Sequence, residues 1–177
     1  RVIPGGLPGP GRNAGAREAT GDWLLFLDAD VTFEADLLGN LLRKVESKKL
    51  DGASCWFIAD SRSIPILLIH WYSCLYFTLT TFLGFPHSIG GCLLIRKAHH
   101  DQLKGFDETI LVAEDQDYVV RLSKIGRYGI LSSPRATISV RRFKNHGLLK
   151  MCLKWIAIDL HRLFKGEVRS DRFHYFD

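Results

Sequence analysis

Residues 21–30 read GDWLLFLDAD, and this stretch decides the fold. Trp23 to Leu27 form an unbroken apolar run of strand length, with Asp22 before it and Asp28 after it. A continuous run of this kind predicts a strand that is covered on both faces, as in a parallel sheet. The acidic residues that follow the strand then lie at the carboxyl edge of that sheet.

Helix and strand patterns alternate along the rest of the chain. Residues 5–15 are rich in glycine and proline, which predicts a loop that leads into a helix over 12–20. Leucines at helical spacing predict a helix over 34–48, and further patterns predict strands over 52–59 and 128–131 and a helix over 116–124. The 177 residues, 46% of them hydrophobic, suit one globular domain. The sequence therefore predicts an α/β fold with a mostly parallel sheet flanked by helices.

The charge and the cysteine content of the chain indicate its partners and its cellular compartment. The formal net charge is +5, and the excess of basic residues lies from Arg135 onward. This asymmetry favours an anionic partner, either a phosphate-bearing ligand or a membrane surface, although an ordinary solvated basic face gives the same pattern. The four cysteines form no CxxC pair, so we expect buried, reduced thiols in a cytoplasmic protein. The opening residues RVIP resemble the inside of a domain rather than a signal peptide, and we expect the sequence to begin within a fold.

Residues 64–85 carry no formal charge and are long enough to cross a bilayer. Pro65, His70 and several hydroxyl and aromatic side chains favour a membrane interface over a hydrocarbon interior. A crossing helix would also place the acidic residues before it and after it on opposite sides of the membrane. If those residues share one site, the segment is instead a buried or membrane-facing helix of the same domain.

Asp28 and Asp30 form a DxD pair directly after the apolar strand. Ligands of open α/β sheets bind at this carboxyl edge. Two carboxylates so close together repel each other unless a cation lies between them. Because Mg²⁺ is usually held by one or two carboxylates together with substrate phosphates, we expect a divalent metal that bridges a diphosphate. A solvated turn is the alternative interpretation.

A second acidic cluster, Glu114, Asp115 and Asp117, opens the helix predicted next to it. Carboxylates are favoured in a first helical turn, so Glu114 or Asp115 could serve only as a helix cap. A carboxylate that projects into a cleft can instead act as a general base. Capping explains one acid of this cluster and leaves the others unexplained.

Five short blocks follow one another along the chain. They are RNAG at 12–15, GDWLLFLDAD at 21–30, GGCLLIRK at 90–97, GFDE at 105–108 and EDQD at 114–117, the last followed by Arg121, Leu122 and Gly126. Together they resemble the ordered motifs of family 2 glycosyltransferases. The resemblance covers residues from about 11 to 142, and its specificity comes from the order and spacing of the blocks.

The resemblance implies a GT-A type, Rossmann-like fold and an inverting transfer of a sugar from a nucleotide-sugar donor to an acceptor hydroxyl. It implies a divalent metal, Mg²⁺ or Mn²⁺, held by Asp30 together with Asp28, which also approaches the donor. Asp115 corresponds to the base that deprotonates the acceptor hydroxyl. Glu114 and Asp117 would orient the acceptor and the base.

Six further residues receive roles at the substrates. Gly90 and Gly91 would let the backbone approach donor or acceptor closely. The resemblance places Arg12 and Asn13 near the nucleotide, with a structural salt bridge as the alternative for Arg12. Arg141 and Arg142 could grip donor phosphates in bidentate fashion. The family's N-terminal strands, which hold the nucleobase, are missing from the sequence, so the donor base is not readable.

Residues 1–142 are therefore expected to form a partial GT-A catalytic domain, and residues 143–177 a C-terminal basic amphipathic helix and tail. The helix predicted over 147–165 carries Lys150, Lys154 and Lys165 on its polar face and Leu148, Trp155 and Phe164 on its apolar face. Such a helix suits a membrane surface, although packing against the N-terminal strands is the alternative. Together with residues 64–85 it favours a lipid-linked acceptor and a location on the cytoplasmic face of a membrane.

Two other functions fit parts of the sequence. A nucleotidyltransferase is also an α/β, metal-dependent enzyme with acids at sheet edges, but it ordinarily has a glycine-rich phosphate loop near its start. A non-catalytic membrane-associated module would leave the DxD pair without a role. The expected partners are a nucleotide-sugar donor, an acceptor and a membrane surface, and not a nucleic acid.

Overall fold

The computed structural model describes residues 2–3, 5–173 and 175. Residues 1 and 4 of the predicted catalytic domain and residues 174, 176 and 177 of the predicted C-terminal region lie outside the described residues. The strands are β1 (Trp23–Leu27), β2 (Val31–Thr32), β3 (Gly52–Ala59), β4 (Cys92–Arg96) and β5 (Tyr128–Ile138). The helices are α1 (Pro8–Glu18), α2 (Leu37–Ser47), α3 (Ile64–Phe82), α4 (Lys97–Gln102), α5 (Glu114–Leu122), α6 (Arg141–His146) and α7 (Leu148–Lys165). The α/β class predicted from the sequence is confirmed.

The five strands form one mixed sheet in the order β1-β4-β3-β5-β2. Only β3 and β5 run parallel, while β1 and β3 both pair antiparallel with β4, and β2 pairs antiparallel with β5. The prediction of a mostly parallel sheet is therefore wrong. The prediction failed because the apolar run of β1 indicates only that the strand is covered on both faces. An antiparallel strand can be covered in the same way, so burial alone does not give the strand direction.

Helices cover both faces of this sheet. Successive side chains of β4 point to opposite faces, as strand geometry requires. Leu94 belongs to a buried cluster with Leu41 and Val45 of α2, whereas Leu93 belongs to a cluster with Tyr118 and others from α5. The sheet is thus the middle layer between α2 and α3 on one side and α5 on the other.

Helix α1 begins at Pro8, so the loop predicted over residues 5–15 is wrong for most of its length. Proline is tolerated in a first helical turn because the amide hydrogen it lacks has no partner there. Gly9 is buried, and a side chain added there would contact Phe106 and Glu114. Tertiary packing against the second acidic motif therefore overrides the local preference of this segment for a loop.

Helix α3 packs on β3 and β5, and the Trp56 indole donates a hydrogen bond to Thr78 Oγ1 over 2.8 Å. Among the described residues it is the one helix whose length and apolar composition would allow it to cross a membrane, and 6% of its most apolar window is buried. The strands before and after it, β3 and β4, pair with each other. The chain therefore enters and leaves α3 within one sheet.

The C-terminal helices pack back onto the sheet domain. Phe143 and Met151 share a buried cluster with Ala59, and Val112 and Val168 form a bridge through which Leu111 N donates to Val168 O over 2.8 Å. On the polar face of α7, Lys150 and Lys165 are exposed as predicted, whereas Lys154 is half-buried. The division of the chain at residue 142 stays a prediction. Cys55, Cys74 and Cys92 are buried free thiols, as expected, whereas the fourth cysteine, Cys152, is only half-buried.

Candidate active site

The DxD pair lies in the turn after β1. Asp28 N donates to Gly91 O over 3.0 Å, and Val31 N donates back to Asp28 O over 3.2 Å, which fixes the turn. The Asp28 side chain remains 40% exposed. The Asp28 carboxylate therefore lies at the carboxyl end of β1, as the sequence predicted.

The second acidic motif opens α5. Ala113 occupies the N-cap position in the left-handed region at φ 62°, and no side chain caps the helix. The alternative that Glu114 or Asp115 is the cap is therefore wrong, because both residues lie inside the first turn. Glu114 is buried and Asp115 is half-buried, so both carboxylates face the interior of the site.

Arg12 joins the two acidic motifs. Its Nη2 donates to Asp28 Oδ1 over 2.8 Å, and its Nη1 donates to Glu114 Oε1. The Arg12 side chain is 16% exposed and the Glu114 side chain 8%, so this is a largely desolvated ion pair. The salt bridge that was the alternative for Arg12 is present. It brings together residues that lie 102 positions apart in the sequence.

Burial and charge together shift the acids of this cluster. Burial, and next the charge of Asp115, raise the pKa of Glu114 to about 7, against the lowering effect of Arg12. Burial also raises the pKa of Asp115, while Arg12 and the nearby Ser88 hydroxyl oppose that rise. For Arg12, burial lowers the pKa, but its carboxylate neighbours outweigh burial and the net pKa is raised. Arg12 is therefore a fixed cation beside two acids, Glu114 and Asp115, that retain their protons unusually well.

The segment 88–91 passes between the two motifs. Gly91 has φ +43°, and an added side chain would lie 3.0 Å from Phe57 Cζ, so this position requires glycine. At Gly90 an added Cβ would lie 3.6 Å from Asp115 Oδ2. The predicted role of both glycines, a close approach of the backbone to donor or acceptor, stays a prediction.

A cavity of about 660 Å³ opens over this cluster. Nine residues predicted from the sequence line it: Arg12, Asp28, Asp30, Gly90, Gly91, Glu114, Asp115, Arg141 and Arg142. Sequence reasoning missed His70 and Phe77 from α3, Asp159 from α7, and the pair Ser88 and Gln116. A signal for Gln116 was available, because it directly follows Asp115.

Two predicted residues lie outside the cavity lining. The Asn13 amide donates to Phe106 O and to Glu108 Oε1, both over 2.9 Å, so it holds the turn before α5. Asp117 Oδ2 accepts a hydrogen bond from Arg121 Nε over 2.7 Å on the same helix. These contacts account for both side chains structurally, and their predicted roles at the substrates stay predictions.

Asp28 and Asp30 fit a divalent metal that takes its remaining ligands from a substrate. Within the described ranges, no group of three or more His, Cys, Asp or Glu could hold a metal ion unaided. Hard oxygen ligands in this number are what Mg²⁺ uses when substrate phosphates complete its coordination. Arg12 engages one oxygen of Asp28, which leaves Asp30 as the more available ligand.

Comparison with known proteins now identifies the class of protein to which this fold belongs, the glycosyltransferases. Residues 6–104 match the sequence family described as Glycosyl transferase family 2. This match covers more than half of the chain, so the protein belongs to glycosyl transferase family 2. No curated protein matches the sequence at a significant level.

Solved structures show the same fold. The mannosyltransferase PcManGT from Pyrobaculum calidifontis, in complex with GDP-Man and Mn2+, matches 84% of this chain with 17% identity and a TM-score of 0.55. S. aureus TarS 1-349 in complex with UDP matches 89% with 16% identity and a TM-score of 0.57. The chain spans 43% and 52% of these two structures, so they share its fold over about half of their own length.

Proposed function

We propose that the protein is an inverting, metal-dependent glycosyltransferase that moves a sugar from a nucleotide-sugar donor to an acceptor hydroxyl. The observation that carries this proposal is the Arg12 bridge, which joins the strand-end motif at Asp28 to the acidic helix at Glu114 above one cavity. Membership of glycosyl transferase family 2 supports it over a nucleotidyltransferase and over a non-catalytic membrane module.

Asp115 is the proposed general base. The acceptor oxygen attacks the anomeric carbon while its proton passes to the Asp115 carboxylate, and the bond from that carbon to the diphosphate oxygen breaks. Attack in line with the departing diphosphate inverts the configuration at the anomeric carbon. The raised pKa of Asp115 supports this role, because a base is most effective when its pKa lies close to the working pH.

The donor diphosphate is proposed to lie between the DxD pair and the arginines of α6. Arg141 and Arg142 line the cavity with Asp28 and Asp30, and a guanidinium can bind phosphate in bidentate fashion. Mg²⁺ or Mn²⁺ held by Asp30 and Asp28 would neutralise the charge that develops on the leaving diphosphate. The structural neighbours bound to GDP-Man with Mn2+ and to UDP support a nucleotide-sugar donor.

A membrane surface and a lipid-linked acceptor are proposed for the other side of the cavity. Helices α3 and α7 both line the cavity, and both expose apolar side chains such as Leu68, Trp71, Leu149 and Leu163. Exposed apolar patches of this extent mark interaction surfaces. The face of α7 that points outward carries Leu149 and Leu163, while Leu148 and Trp155, which were predicted to be exposed, pack inward against Phe143 and Met151.

This surface favours a location at the cytoplasmic face of a membrane. Lys150 and Lys165 flank the exposed face of α7 at either end. Basic residues beside apolar ones are typical of helices that lie in the interface of an anionic leaflet. An acceptor with a lipid tail could then present its polar end to the cavity.

The proposal is tested by substituting the base. Asp115→Asn keeps the shape of the side chain and removes its basicity, so we expect the rate of transfer to fall by roughly a hundred- to ten-thousand-fold. Release of GDP or UDP from GDP-mannose and UDP-glucose, with Mn²⁺, measures this rate, and donor affinity should remain unchanged. Asp60→Asn is the control, since that exposed acid lies outside the cavity lining. Loss of donor affinity together with turnover would show that Asp115 binds the donor and is not the base.

A further inference from the structure

Gln116 clamps the segment that passes beneath the proposed base. Its Oε1 accepts a hydrogen bond from Ser88 N over 3.0 Å, and its Nε2 donates to Ser88 O over 2.8 Å. Both backbone polar groups of one residue are therefore held by one side-chain amide. Because Gln116 directly follows Asp115, the clamp ties the base helix to the segment that carries Gly90 and Gly91.

The Ser88 hydroxyl lies at the centre of this arrangement. It is 1% exposed, it lines the cavity, and among residues 2–3, 5–173 and 175 it has no hydrogen-bond partner of good geometry. It lies close enough to Asp115 and Tyr128 to oppose the rise that burial causes in the pKa of each group. A buried hydroxyl without an aligned partner is rare and calls for a functional explanation.

The neighbouring hydroxyls leave one target for the Ser88 proton. Tyr128 already contacts Ser54 Oγ over 2.8 Å and donates toward His87 O over 3.0 Å. The Asp115 carboxylate offers several acceptor sites and carries negative charge, and hydrogen bonds to charged groups are about twice as strong as neutral ones. Asp115 is therefore the acceptor that the Ser88 hydroxyl favours.

We propose that Ser88 is a positioning residue for Asp115, and that Gln116 fixes Ser88 for this purpose. The hydroxyl donates to one carboxylate oxygen, which leaves the other oxygen directed at the acceptor hydroxyl. This role rests on the proposed function, in which Asp115 is the base. It gives the two-point clamp a purpose that packing alone does not.

Other groups also act on Asp115 and must stay constant in any test. Arg12 favours its ionised form, and Asp28 opposes it. Within the described part of the chain, the groups that interact electrostatically with it include Glu114 on its own helix, Tyr128 from β5, Asp159 and Arg162 from α7, and Tyr175. Substitutions at Ser88 and Gln116 leave all of these groups in place.

Ser88→Ala tests the hydroxyl directly. With GDP-mannose and UDP-glucose as probes, we expect kcat to fall about tenfold or more at an unchanged KM for the donor. The acidic limb of the pH profile should move up by about one pH unit, because Asp115 loses a donor that stabilises its ionised form. Ser123→Ala, which removes an exposed hydroxyl bonded only to Val120 O, should change neither quantity. An unmoved pH profile, or a loss confined to donor KM, overturns the positioning role.

Gln116→Leu tests the clamp by a second route. It keeps the volume of the side chain and removes both hydrogen bonds, so amide hydrogen exchange at Ser88 should accelerate while kcat falls as in Ser88→Ala. Gln102→Leu, at an exposed position on α4, is the matched control. Unchanged exchange at Ser88, or faster exchange with full activity, contradicts the inference. If the wild-type protein cleaves a donor and both variants do so at the same rate, only the positioning role is refuted. If the wild type cleaves neither donor, the proposed function is refuted, and the positioning role with it.

Discussion

Replacing Arg12 by Gln removes a guanidinium that contacts both acidic motifs. Arg12 donates to Asp28 and to Glu114, and its guanidinium lies over the Phe106 ring at 5.4 Å from the centroid. Gln cannot reach both carboxylates and carries no charge. The variant therefore leaves Glu114 buried without its cation.

The size of the effect follows from the exposure of each partner. Breaking a buried ion pair by removing one partner costs about 3 to 5 kcal/mol, and Glu114 is 8% exposed. Asp28 is 40% exposed, so solvent screens its share of the interaction to under about 1 kcal/mol. We expect a loss of about 3 kcal/mol near pH 8, which corresponds to roughly 6–12 °C in Tm for a chain of this size.

The loss should depend on pH in a defined direction. Glu114 ionises near its ordinary pKa of 4.5 in the unfolded chain, but only near pH 7 in the folded protein. Its ionisation therefore destabilises the fold progressively as pH rises between these values. Arg12 lowers the folded pKa, so its removal extends this window upward. The difference between wild type and Arg12→Gln should grow from pH 5 to pH 8.

Urea unfolding at pH 5 and pH 8 measures both quantities. Arg17→Gln is the matched control, because Arg17 lies on the same helix, is 68% exposed and reaches Glu108 only at 3.9 Å. That substitution should change stability by less than about 0.5 kcal/mol. A loss below about 1 kcal/mol for Arg12→Gln at pH 8, or a loss that shrinks as pH rises, would refute the reasoning.

Three further predictions concern the metal, the glycine turn and the membrane surface. Asp30→Asn should lower Mn²⁺-dependent donor cleavage at least tenfold with Tm unchanged, and full activity in excess chelator would contradict the metal role. Gly91→Ala should cost about 1–3 kcal/mol in urea unfolding, because φ is +43° and Phe57 lies 3.0 Å from the added Cβ, whereas Gly15→Ala has open space and should cost nothing. The double variant Lys150→Gln/Lys165→Gln should bind anionic vesicles about 2 kcal/mol more weakly, which is roughly thirtyfold. The control is a variant in which Lys48 and Lys124 are changed to Gln. If both variants bind the vesicles equally, α7 makes no contribution.

Much of the fold could be predicted because its elements have simple periodicities. The strand β1 matches the apolar run, β3 coincides with the predicted range, and α5 and α7 lie within two residues of theirs. Strand directions could not be predicted, because they depend on how connections cross the sheet and not on local pattern. The start of α1 was missed because Gly9 is held by contacts with residues about a hundred positions away.

In the candidate site, too, some features could be predicted from the sequence and others could not. Motif order located both acidic motifs and the paired glycines of the cavity lining, and the charge of Arg141 and Arg142 suggested the arginines of α6. The contact between Gln116 and Ser88 was out of reach, since it joins positions 28 apart and needs the register of α5 against the segment 88–91. The bonds of Asn13 were also out of reach. Its amide donates to Phe106 O, which lies 93 positions away, and its predicted role near the nucleotide stays a prediction.

Helix α3 alone separates the cavity from the surface of the protein on this side. Side chains such as His70 and Phe77 line the cavity, and others such as Leu68 and Tyr72 on the opposite side are exposed. Substitutions on the outer side therefore leave the volume and the polarity of the cavity unchanged. Homologous chains could exchange one large apolar residue for another along the outer side without reshaping the cavity, and so adapt to different surroundings while they keep the same chemistry.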